Sequence, residues 1–175
     1  MKKFGVFALW LVILSWVIVW CSSKQADEDQ VIVYNGNIIS LWEKCIEAGE
    51  SMWNIYNWYS KWSTEDVKSA IDDAVSQCKD SMFQINDLWG MDWDDSLKDG
   101  VIVLIQKMLE QYEKLYEILP FLPLLDEGLV EEDLRTYEQI VEDLDSLGVE
   151  IQDLNKNLVE IQRWFAERYW YEVDD

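Results

Sequence analysis

The chain has 175 residues, 35 acidic and 14 basic side chains, a formal charge of −21 and no histidine. That balance disfavours nucleic acid and anionic lipid surfaces as partners and leaves cations and basic proteins. The missing histidine removes the commonest general base, the Ser-His and Cys-His nucleophile pairs and the usual transition-metal ligand.

In chain order, Lys2 and Lys3 form a short positive start, and Phe4 to Trp20 then run without a charge. This is the layout of a signal peptide over residues 1–20. If uncleaved, its seventeen residues stand at the short limit for a membrane span, with the lysines held on the cytoplasmic side. The segment closes on Ile18-Val19-Trp20-Cys21-Ser22-Ser23, which resembles the lipobox of bacterial lipoproteins. The resemblance implies that Cys21 receives a diacylglycerol and that the protein is held to the membrane through its N-terminal lipid. At about 0.8 kcal/mol per buried CH₂, two or three acyl chains make such attachment essentially permanent. Removing residues 1–20 leaves 155 residues, one domain's worth, with 12 basic against 35 acidic side chains and a charge of −23.

Trp20 departs from the lipobox, which wants a small residue before the cysteine. The chain holds 11 Trp and 7 Gly, and other tryptophans also occupy glycine-like positions. Asn57-Trp58 and Asp92-Trp93 sit where the turn dipeptides Asn-Gly and Asp-Gly are expected. Trp62 takes a helix-stop position and Trp89 precedes Gly90 in a loop. The pattern predicts UGA codons that the source reads as glycine, against the alternative of a protein rich in membrane-surface tryptophan.

Residues 21–30 read as the lipidated cysteine and a polar tether. From residue 31 the spacing is helical. Val31, Tyr34, Ile38, Leu41, Cys45, Ala48, Met52, Ile55 and Tyr59 mark the first seam. The second helix begins near Ser63 or Thr64 and carries Val67, Ile71, Ala74, Cys78, Met82, Ile85 and Leu88. After an Asp-rich loop, the third starts around Asp95-Ser96 and uses Leu97, Val101, Leu104, Met108, Tyr112, Leu115 and Leu119 before Pro120 and Pro123 break it. The last, from about Leu129 to Arg168, faces inward through Val130, Leu134, Tyr137, Val141, Leu144, Leu147, Ile151, Leu154, Leu158, Ile161 and Phe165. Its spacing slips near Gly148, which predicts a bend or local overwinding. The expected fold is all-α, an up-down four-helix bundle over residues 31–171 with a long C-terminal helix and an acidic tail at 172–175.

The ending Phe165-Ala166-Glu167-Arg168-Tyr169-Trp170-Tyr171, with Tyr34-Asn35 at the start, is similar to a group of helical bacterial surface lipoproteins that close on Phe-Ala-x-x-Tyr-Gly and an aromatic. Trp170 replaces the glycine. The resemblance brings no catalytic residue.

Cys45 and Cys78 stand at matching heights if the first two helices form a hairpin near Lys61, either bridged or as two small buried side chains. The loop carboxylates Asp87, Asp92, Asp94 and Asp95 are weak candidates for holding Ca²⁺. Leu97 stands where an EF-hand has glycine, and no Glu closes the loop. Glu131-Glu132-Asp133, Glu142-Asp143 and Asp145 offer paired carboxylates, but on solvent faces. No cofactor and no enzymatic activity are expected. The function read from these residues is a lipid-anchored envelope or surface lipoprotein with a non-catalytic binding or structural role towards a protein partner. The alternative is binding or buffering of a divalent cation such as calcium. Mass spectrometry of native peptides spanning positions 58 and 93 is expected to find glycine at both; a tryptophan mass at either ends the recoding reading.

Overall fold

The computed structural model describes residues 28–57, 63–88, 95–125 and 127–169. They form four α-helices: α1 (Glu28–Asn57), α2 (Thr64–Asp87), α3 (Ser96–Leu115) and α4 (Glu131–Tyr169), with a short 3₁₀ turn at Leu122–Leu124. No strand occurs among the described residues. The architecture is an all-helical bundle in which sequence neighbours pack together and α4 lies mainly along α3. The seam positions of α1 from Val31 to Met52 are buried, as are all seven named for α3.

Each boundary has a local cause. Ser63 caps α2: its hydroxyl accepts from the Asp66 backbone N–H (3.2 Å), and the Asp66 carboxylate accepts from the Ser63 N–H (2.8 Å). Two of the orphan donors at the helix start are thereby satisfied. The Ser63 hydroxyl, which also donates to the Asp66 carboxylate (2.7 Å), and then the Ser63 N–H hold that carboxyl below its ordinary pKa. At the other end of α2, Lys98 of α3 donates to the carbonyls of Asn86 and Leu88, 3.1 Å each, supplying the cation that the last turn of α2 lacks. Beyond Leu115 the chain tightens into i→i−3 hydrogen bonds from Tyr116 to Phe121. Pro120 has no N–H to continue the α ladder and its ring would meet the carbonyl of Tyr116.

Three sequence expectations are corrected. Residues 28–30 belong to α1 and not to the tether, because an apolar pattern marks where a helix is buried, not where its backbone hydrogen bonding begins. Val130, just before α4, and Leu134 on its first turn are 65% and 41% exposed, not inward, because an apolar spacing does not by itself supply a covering surface. Ile140, outside the expected seam, is buried instead, while Tyr137 and Val141 are half-buried. The helix α4 itself runs unbroken through Gly148.

Two close approaches set how the helices lie. Cys45 and Cys78 are joined in a disulfide between α1 and α2 with their Cα atoms 4.6 Å apart. Adding the Cα radius of about 2.3 Å on each side places the two axes about 9 Å apart, inside the usual range for packed helices. Small residues surround the bridge: Ala48 and Gly49 on α1, Ala70, Ala74 and Ser81 on α2. One turn from Cys45, a Cβ built on Gly49 collides with the Tyr112 hydroxyl and comes within 3.1 Å of Tyr112 Cζ. Tyr112 of α3 therefore rests against the bare backbone of α1. Its ring is 1% exposed, and burial pushes the phenol up to about 12, so it stays neutral across the physiological range.

Along α3 and α4 a polar ladder fixes an antiparallel register. Lys107 meets Glu150 (3.1 Å) and Glu110 (2.6 Å), and Lys114 meets Asp143 (2.9 Å) and Glu117 (3.0 Å). Seven residues forward on α3 correspond to seven back on α4. Between the two rungs, Gln111 Nε2 donates to the Leu144 carbonyl at 3.3 Å. The paired carboxylates raise both lysines above their ordinary pKa, and the Lys114 hydrogen bond lowers that of Asp143.

Gly49→Ala is expected to lower unfolding free energy in denaturant by about 1–3 kcal/mol through overpacking, despite alanine's intrinsic helix advantage of about 1 kcal/mol. Adding Tyr112→Phe should recover part of that loss; simple additivity of the two substitutions would show that the hydroxyl is not the obstacle. Replacing both Cys45 and Cys78 by serine is expected to cost about 3–4 kcal/mol in the chain-entropy picture. Thiol titration of the unfolded chain with and without reductant should differ by two groups; equal counts would mean that the bridge is not formed.

Candidate functional site

Of the residues singled out from the sequence, Cys45 and Cys78 lie within α1 and α2, and Asp87 and Asp95 stand at one end of the bundle. There α1 begins, α2 ends, α3 begins and α4 ends. Tyr34 of α1 ties three of these helices: its hydroxyl donates to Asp95 Oδ1 (3.3 Å), at the start of α3, and its ring lies 6.3 Å from that of Phe165 on α4. Asp95 occupies the N-cap position of α3 without making a side-chain cap bond. One carboxylate oxygen is thus committed to Tyr34.

Asp87 lies beside a different feature, an open groove of about 420 Å³ between α1 and α2. Asn37, Ser40, Lys44, Gln84 and Asp87 line it over an apolar floor of Leu41 and Leu88. A single carboxylate faces a lysine across this groove, so the lining is close to neutral and offers a cation little attraction. Asp92 and Asp94 lie outside the described residues. Among the described residues no group of three or more Asp, Glu, Cys or His is placed to hold a metal ion. Of the carboxylates proposed from the sequence, the two described ones, Asp87 and Asp95, are not part of such a group.

Cys21, the lipobox and Trp20, Trp58, Trp62, Trp89, Trp93 and Trp170 all lie outside the described residues. The described tryptophans stand within helices. Trp53 meets Tyr56 edge-on at 5.4 Å, and Arg168 lies 5.0 Å above the Trp164 ring. Trp42 packs against the core with its indole N–H buried and without a hydrogen-bond partner. No described helix is long and apolar enough to cross a membrane.

The opposite end holds a feature that pattern reading missed. Phe121, just past α3, contacts Tyr137 of α4 with ring centroids 6.1 Å apart. Towards its N-terminus α4 continues beyond that level for about two turns, roughly 10 Å. On this overhang Leu134 and Val130 continue the seam into solvent, beside the acidic first turn Glu131, Glu132 and Asp133. Arg135 pairs back to Glu131. The signal was present in Pro120 and Pro123, which end α3 early; hydrophobic spacing on α4 reports only that a face is apolar, not that a partner covers it.

The paired carboxylates considered for chemistry are dispersed. Asp143 is engaged by Lys114 and by Gln139 Nε2 (3.0 Å), while Glu131 pairs with Arg135 within the same helix. Another structural contact, between Tyr116 and Asp72 at 2.6 Å, joins α3 to α2 beside the Lys68–Asp72 pair. Burial, then the bond to Asp72, push the Tyr116 phenol up to about 12. No protein-family model, curated protein or solved structure matches this chain.

Proposed function

We propose that this is a lipid-anchored protein of the bacterial envelope, attached through Cys21 with its helical bundle outside the cytoplasm, and that its role is non-catalytic binding. The observation that carries the reading is the uncharged apolar run Phe4–Trp20 behind Lys2 and Lys3, closing on Cys21. The apolar stretch closes on Cys21 and α1 begins at Glu28, so only six residues separate the two. Fully extended, that connection spans at most about 25 Å. The bundle is held at the membrane surface by its α1 end.

Its other end then faces away from the bilayer. Val130, just before α4, and Leu134 on its first turn, beside Glu131, Glu132 and Asp133, form the face offered to a protein partner of complementary positive charge. The polar contacts around the bundle cap helices and pair α3 with α4, which suits a rigid carrier of that face.

Labelling cells with an alkyne-bearing palmitate analogue should place the label on the full chain in the membrane fraction. Cys21→Ser should lose the label and leave the membrane pellet after carbonate washing. An unlabelled wild-type chain, or a Cys21→Ser chain that stays fully labelled, would overturn the anchoring.

A further inference from the structure

We propose that the outer edge of the α1–α4 contact, at the anchor end, rests on the bilayer interface through Val33 and Trp164, so that the bundle lies against the membrane and does not swing freely on its tether. The proposal rests on the anchoring described above. Tyr34 and Phe165 face each other across α1 and α4. The two helices run in opposite directions: α1 is parallel to α3, as Tyr34 with Asp95 and Gly49 with Tyr112 require, and α3 is antiparallel to α4.

One step back from each facing residue turns the chain by about 100°, and in oppositely directed helices those turns lead to the same side. Val33 and Trp164 therefore share the outer side of the contact, whereas Ala166, one step the other way, is buried. Val33 is 61% exposed and Trp164 47%. Each lies within about two turns of its helix's anchor-side end.

The surrounding chemistry points to a lipid interface as the occupant. Trp164 carries Arg168 over its ring, and Arg163 is its neighbour, so two of the three arginines of this acidic chain flank the exposed indole. A tryptophan with adjacent arginines suits the headgroup level, where the ring takes the apolar side and the guanidinium reaches phosphate. Favourable interaction of cations with a helix C-terminus accounts for arginines there, but not for an exposed indole and valine beside them. The short connection brings this end within reach of the membrane.

The test uses the full chain, lipidated and reconstituted in phosphatidylcholine vesicles, with a nitroxide at Ile32→Cys or Glu167→Cys near the proposed contact, or at Glu132→Cys on the far end. On vesicle attachment the first two labels should gain oxygen collisions and lose nickel-chelate collisions, while the third stays unchanged. Combining Val33→Glu with Trp164→Glu should return the near labels to the far label's values with the protein still floating with the vesicles. Near labels that match the far one on floating wild-type protein would overturn the contact while leaving the anchoring intact. A chain that does not float would overturn the anchoring, and this proposal with it.

Discussion

The bundle depends on the place where α1 gives up side-chain volume. At Cys45, Ala48 and Gly49 the helix presents almost nothing beyond its backbone, and two neighbours use that space differently. Cys78 reaches across to form the disulfide with α2, and Tyr112 lays its ring end against Gly49 from α3. One short stretch of α1 thereby sets the height of both helices that follow. A larger side chain at Gly49 would press on the one bulky ring whose position relates α3 to α1, and interiors packed near crystal density have little slack to absorb it. The apolar seams supply the driving force for collapse, while these close approaches select one register among the many that seams alone permit.

Charge is arranged around this framework with economy. Lysines are scarce, and Lys107 and Lys114 each serve two carboxylates, one nearby in sequence, Glu110 or Glu117, and one on α4. Such exposed pairs contribute little individually. Their value lies in position, because they border the α3–α4 seam and keep part of a large acidic surplus from facing itself across the contact. The remaining surplus is displayed to solvent and disfavours association of like chains.

The two ends of the bundle differ physically. At one, four helix termini meet and Tyr34 of α1 ties itself to α3 and α4 by a hydrogen bond to Asp95 and a ring contact with Phe165. At the other, Pro120 and Pro123 stop α3 while α4 continues, so an apolar stripe emerges from the core.

Much of the helical organisation was legible from residue order alone. Spacings of three and four placed Val31, Tyr34, Ile38 and Cys45 on one face of α1, and Ser63 with Asp66 marked the start of α2, because periodicity and capping are local properties of a helix. The charge-free segment ending at Cys21 and the matched heights of Cys45 and Cys78 are likewise readable without coordinates. Tertiary structure decided what the spacing could not express: that Val130 and Leu134 are exposed, that Ile140 turns inward, that Tyr112 lies against Gly49, and that Asp95 accepts from Tyr34 while Asp87 lines the groove between α1 and α2. Each depends on which element lies opposite, and an amphipathic pattern encodes the apolar character of a face but not the length or register of the surface that meets it.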